Sequence, residues 1–118
     1  MTTLQEMVRA LRDVTEAEAV AVITRDGGIV AAELPPSVSP ETFSIMCAAI
    51  LGAGMTASME LRRRAPHRVL LESEDATILI GGVGRRAMVV LVVPPEVSAD
   101  HLEGVVRRFA EATADELE

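Results

Sequence analysis

The sequence predicts a single three-layer α/β/α domain with five strands in an antiparallel sheet and the element order αββαβββα. Three observations predict it. Helix caps and turn residues divide the chain into helical and extended segments in that order. The extended segments VAVI, ILI and MVVLVV are apolar at consecutive positions, as expected of strands covered by helices on both faces. At 118 residues the chain is long enough for one core and too short for two.

Thr3 followed by Glu6 forms a capping box, and Leu4, Met7, Val8, Leu11 and Val14 recur at helical spacing, so residues 4–14 read as a first amphipathic helix. Ala19 to Thr24 and Ile29 to Leu34 flank the turn Asp26-Gly27-Gly28 and make a hairpin that ends at Pro35-Pro36. Ser39 as N-cap, Pro40 at the first helical position and Glu41 in the first turn open a long helix, expected to run to about Arg64 and to stop at Pro66. Arg68 to Ser73, Thr77 to Val83 and Ala87 to Val93 form a meander, separated by Glu74-Asp75 and Gly84-Arg85. Ser98 caps a last helix with Leu102, Val105, Val106, Phe109, Ala110 and Leu117 as its apolar stripe. There is no repeat or linker, and residues 1–118 read as one domain.

Composition excludes much. Hydrophobic residues make up 49% of the chain and the formal charge is -7. No unbroken apolar run reaches the roughly eighteen residues of a membrane span, and the N-terminal segment lacks the pattern of a secretory signal, so a cytoplasmic location is expected. Lysine is absent, which removes Schiff-base chemistry and the phosphate-binding lysine of a P-loop. An acidic chain with two aromatic residues offers neither the field nor the stacking platforms of nucleic-acid binding. One cysteine and two histidines give no cluster at metal-ligand spacing, and no cofactor is implied.

The long helix carries more apolar surface than one domain can use. At about 100° per residue, Phe43, Met46, Cys47, Ile50, Gly54, Ala57 and Leu61 gather on one side, expected to face the sheet. Ile45, Ala48, Gly52, Met55 and Met59 gather on the other. In so small a chain a second copy is the simplest cover for that second face, with Ala48 and Gly52 allowing close helix approach and the methionines filling gaps. Such a face left wet would invite aggregation.

No residue cluster argues for catalysis. Gly81, Gly82 and Gly84 lie in and after a strand, with no helix N-terminus behind them, and read as a bulge and turn. Arg62, Arg63 and Arg64 at a helix C-terminus complement its dipole, although an acidic partner could use them. Arg85 and Arg86 on a hairpin turn suit either solvation or a partner contact. His67 and His101 fall far apart with no nucleophile between them. Cys47 reads as a small buried hydrophobe, and Glu72, Glu74 and Asp75 as a solvated hairpin.

The order αββαβββα, the Asp26-Gly27-Gly28 turn, the long small-residue-rich helix from Pro40 and the glycines 81, 82 and 84 together resemble the roadblock family. That family is related to dynein light chains, shares a profilin-like architecture and includes bacterial and archaeal regulators of small GTPases. The resemblance covers Leu4 to about Leu117. It implies a homodimer in which the second helices lie side by side and the third strands, here Arg68 to Ser73 with Val69, Leu70 and Leu71 at the centre, join into one ten-stranded sheet. It implies further that the paired helices form a platform for a small Ras-like GTPase, drawing on Ser44, Ala48, Ala49, Met55, Thr56 and Met59. The expected function is therefore a non-enzymatic scaffold or regulator that binds a GTPase. A small-molecule sensing module is the alternative. From the sequence alone, Gly52→Glu is expected to convert a dimer to monomer or to insoluble material, as light scattering would report.

Overall fold

The computed structural model describes residues 2–117 and gives α1 (Leu4–Thr15), β1 (Ala19–Thr24), β2 (Ile29–Glu33), α2 (Pro40–Glu60), β3 (Arg68–Glu72), β4 (Thr77–Val83), β5 (Ala87–Val93) and α3 (Ala99–Leu117). Local chemistry sets the helix starts. Thr3 Oγ1 accepts the Glu6 N–H at 3.1 Å, and the Glu6 carboxylate accepts the Thr3 N–H at 3.2 Å, closing the capping box. Ser39 Oγ accepts the Thr42 N–H at 3.4 Å, with Pro40 at the first helical position, where its missing N–H costs nothing.

All strand pairs are antiparallel, in the spatial order β2-β1-β5-β4-β3. β5 lies at the centre with all seven residues buried, whereas β2 and β3 are the edges. α1 and α3 cover one face, where Val8, Leu11, Leu102, Val105 and Phe109 pack on Val20, Val22, Leu79, Val89 and Leu91. α2 covers the other, where Cys47, Ala48 and Leu51 pack on Ala21, Ile23, Ile80, Met88 and Val90. Alternate residues of each strand serve opposite cores, which is why the strands are apolar at consecutive positions.

Four expectations are corrected. α2 ends at Glu60 rather than near Arg64, because Arg62 enters the left-handed region (φ 57°) and the chain turns in a Schellman motif, with Arg63 N–H on Ser58 O and Arg62 N–H on Met59 O, each at 2.9 Å. Gly81 and Gly82 form no bulge, since they pair in unbroken register with Val89 and Met88; the register shifts instead between Val22 and Ile23. Gly84 does make the turn, with φ 64°. Val14, counted in the apolar stripe of α1, is 63% exposed beside α3, because the stripe that reaches the sheet runs through Val8, Leu11 and Thr15.

The fourth correction concerns the rotation of α2. Ser44, Cys47, Ala48 and Leu51 face the sheet, while Met46 and Leu61 stand out at 55% and 73% exposure. An apolar residue on every side leaves a wheel without direction, so packing of Leu51 and Cys47 into the sheet decides it. Ser44, fully buried, satisfies its hydroxyl by donating to Pro40 O at 2.8 Å. By length and composition α2 is long and apolar enough to cross a membrane; here it lies along the sheet. No charged residue interrupts it between Glu41 and Glu60, although Thr42, Ser44, Thr56 and Ser58 keep any strictly apolar run short.

Glu33 ties edge strand β2 to α1. Its carboxylate accepts from Arg9 Nε at 2.9 Å, Arg12 Nη1 at 3.4 Å and Gln5 Nε2 at 3.0 Å. The Arg9 hydrogen bond, with the charges of Arg9 and Arg12, holds its pKa below the ordinary 4.5. Because the folded value is depressed, the stabilisation is complete above pH 4.5 and is lost as pH falls through the lower folded value. The urea midpoint of the native protein is therefore expected to fall more steeply below that pH than the midpoint of Glu33→Gln; parallel acid limbs would contradict the assignment.

Candidate interaction surface

α2 crosses the sheet with its two flanks over different structures. A Cβ at Gly54 would stand 3.5 Å from Val69 Cγ2 and 3.9 Å from Pro66, so the flank carrying Gly54 lies over β3. One helical turn either way adds Ile50 and Ala57, and Leu61 follows. On the opposite flank a Cβ at Gly27 would meet Ile45 Cγ1 at 3.1 Å, and Met55 Sδ receives a weak contact from Arg25 Nη1 at 3.7 Å. This second flank faces the β1–β2 and β4–β5 turns. Between the flanks, Met46, Ala49, Ala53, Thr56 and Glu60 face outward and are exposed.

The candidate residues therefore divide. Ile45, Gly52 and Met59 share the turn-side flank, with Ile45 and Met59 52% and 67% exposed. Ala49 and Thr56 lie on the outward crest. Ala48 is buried on the sheet and Met55 is half-buried against it, so neither stands at the centre of an outer face as the wheel suggested. Val69, Leu70 and Leu71 lie on edge strand β3, Val69 half-buried over α2 and Leu70 and Leu71 exposed at 36% and 38%. The α2 surface on the β3 side is thus that of Ile50, Ala57 and Leu61, not that of Ile45, Gly52 and Met59. Edge strands expose unpaired backbone donors and acceptors, and β3 adds apolar side chains to them.

Sequence reasoning missed Arg25. It follows β1 on the same side as Ile23, and its guanidinium crosses the end of the sheet to donate to Gly84 O at 3.3 Å. A Cβ at Gly82 would stand 2.9 Å from Arg25 Nη2. The available signal was Gly82 itself, because a glycine inside an apolar strand marks a close approach.

Residues 3–93 match the Roadblock/LC7 domain. The chain belongs to the Roadblock/LC7 family. This is a family of regulatory and adaptor domains. Solved structures share its fold at low sequence identity. Myxococcus xanthus MglB superposes with a TM-score of 0.89 at 11% identity, covering 98% of this chain and 94% of that one. A Roadblock/LC7 domain from Streptomyces avermitilis gives 0.89 at 12% identity, covering 98% of each chain. A structure described as MglB with tetrameric arrangement gives 0.85 at 18% identity, covering 99% and 93%. No curated protein sequence matches the chain.

The remaining polar candidates of this Roadblock/LC7 domain do not converge. Arg62, Arg63 and Arg64 are exposed beyond the end of α2, and Arg85 and Arg86 are exposed on the β4–β5 turn. His67 and His101 are exposed on separate elements. Asp75 accepts from Ser73 Oγ at 2.9 Å within its own turn. Among the described residues no three His, Cys, Asp or Glu side chains come together.

Cys47 is 3% exposed between α2 and the sheet, and burial pushes its thiol up to about 11. A thiol reagent at neutral pH is therefore expected to label Cys47 only when the domain opens, so labelling should accelerate with urea in step with loss of helical signal. Rapid stoichiometric labelling of the native protein would contradict this packing.

Proposed function

We propose that this Roadblock/LC7 domain is a homodimeric, non-enzymatic regulator that acts in the cytoplasm and binds a small Ras-like GTPase through its α2 surface. The observation that carries the reading is the continuous exposed apolar surface of α2 and β3. Leu61 on the β3-side flank of α2 and Leu70 and Leu71 on β3 are exposed, and β3 is an edge at which a second β3 can continue the sheet. The family's regulatory and adaptor character supports a role in partner recognition rather than catalysis. In this reading β3 and the Ile50, Ala57 and Leu61 flank meet their twins across a two-fold axis. The outward crest and turn-side flank, with Ile45, Ala49, Thr56 and Met59, then remain for the GTPase.

A standard interface removes about 800 Å² from each partner, and roughly 25 cal/mol per Å² of apolar area makes such a dimer favourable if about half the area is apolar. The division of α2 into flanks changes which substitutions matter. Leu71→Arg or Ala57→Glu is expected to shift the light-scattering mass from dimer to monomer, whereas Gly52→Glu, which enters open space on the other flank, leaves the dimer intact. A native monomer, or a dimer insensitive to both β3-side substitutions, would overturn the assembly. For the partner, Thr56→Glu with Met59→Glu is expected to weaken binding of a Ras-like GTPase from the same genome at least tenfold without altering the dimer mass. Unchanged binding would remove the GTPase surface from α2.

A further inference from the structure

We propose that Arg68 and Glu72 make β3 self-complementary, fixing the register in which a second copy pairs with it and selecting that copy over chains of other charge order. The inference rests on the dimer reading above and adds to it one alignment and the two residues that enforce it.

Backbone direction supplies the first constraint. His67 O accepts the Gly82 N–H at 3.0 Å and the Ser73 N–H donates to Ala76 O at 2.9 Å, on either side of the unbroken pairing of β3 with β4. Along an antiparallel strand, residues that bond a given neighbour alternate with residues whose N–H and C=O turn away from it. Residues 67, 69, 71 and 73 therefore bond to β4, and Arg68, Leu70 and Glu72 direct their backbone groups to the open edge. An antiparallel twin strand can hydrogen-bond only where outward residues meet outward residues, which removes every alignment displaced by a single residue. Centred on Leu70, the pairing engages every outward residue of β3: Arg68 with Glu72 of the twin, Leu70 with its own copy, and Glu72 with Arg68. Slid by two residues in one direction, it sets Glu72 against Pro66, which has no N–H to give. Slid by two in the other, it sets Arg68 against Glu74, in the turn beyond the strand, and Glu72 against Leu70.

Side-chain chemistry selects the same alignment. Arg68, Leu70 and Glu72 point to the α3 face, because alternate residues of a strand share a face and Arg68 Nη2 lies 2.9 Å from Glu103 Oε1. On that face two opposite-charge pairs flank a central contact between the Leu70 side chains, which are 36% exposed in the single chain. On the α2 face Val69 meets Leu71 of the twin. Among the described residues Glu72 forms no ion pair, so its carboxylate is available. Arg68 keeps donors beyond the one given to Glu103, and one guanidinium can serve both carboxylates. Like charges directly opposite destabilise a strand pair, so a foreign edge strand without this inverted charge order is disfavoured.

The test is light scattering and native mass spectrometry of the full chain carrying Glu72→Arg, Arg68→Glu or Glu74→Arg. Glu72→Arg and Arg68→Glu are each expected to weaken the homodimer about tenfold or more, since each turns two attractions into two repulsions. Glu74→Arg, which makes the same change in charge two residues further on, is expected to leave the dimer unaltered. Mixed in equal amounts, Glu72→Arg and Arg68→Glu chains are expected to form heterodimer beyond the random proportion, because each meets opposite charge at both places. Glu72→Arg breaks no ion pair of the single chain, so it decides the question alone if Arg68→Glu, which sets a carboxylate beside Glu103, fails to fold. A native dimer that tolerates Glu72→Arg, that responds equally to Glu74→Arg, or whose charge-reversed chains mix at random overturns the register and leaves the dimer reading standing. A native monomer overturns both.

Discussion

α2 is apolar around its whole circumference, and a helix lying on a sheet can bury only one stripe. Ser44, Cys47, Ala48 and Leu51 take that place against β1, β4 and β5, and every other apolar side chain of the helix is left partly or wholly outside. The rest of the architecture follows from this. The opposite face of the sheet already has α1 and α3, and among the described residues no element covers the outside of α2. Apolar surface left over in this way is unusual for a domain that works alone and usual for one that works against partners.

The same helix joins the edge of the sheet to its turns. Toward β3, Gly54 brings the helix backbone close to Val69, and the surface that follows contains Ala57, Leu61 and Leu71. Toward the turns, Gly52 leaves space, and Arg25 reaches under Met55 to the Gly84 carbonyl. Two glycines two positions apart thus point to opposite flanks, one permitting contact with an edge strand and one keeping a cavity open. Their spacing in sequence hides that difference, because neighbouring residues on a helix are turned about 100° from one another.

Much of the fold was legible because local signals and burial agreed. The Thr3 and Ser39 caps, the Asp26-Gly27-Gly28 turn and the prolines after β2 and β5 mark element ends by backbone chemistry alone. Consecutive apolar residues in β5 announced a strand covered on both faces. The end of α2 was misjudged because Arg62, not a glycine, adopts the left-handed conformation, and no residue type signals that. The rotation of α2 was misjudged for a different reason: with apolar residues on every side, periodicity carries no direction. The candidate surface was accordingly legible as a helix and a strand but not as a particular flank, and Gly82 signalled a close approach without naming Arg25, whose environment is assembled from Gly82, Gly84 and Met55, distant in sequence.

We propose that a second copy of the chain completes edge strand β3 and the α2 flank above it. Amide hydrogen exchange of β3 as a function of protein concentration tests it most directly, since the amides of residues 68–72 that do not bond to β4 have no partner inside one chain. Protection of those amides at high concentration that is lost on dilution, while β5 stays protected, is the predicted result. Fast exchange of the same amides at every concentration would contradict the account.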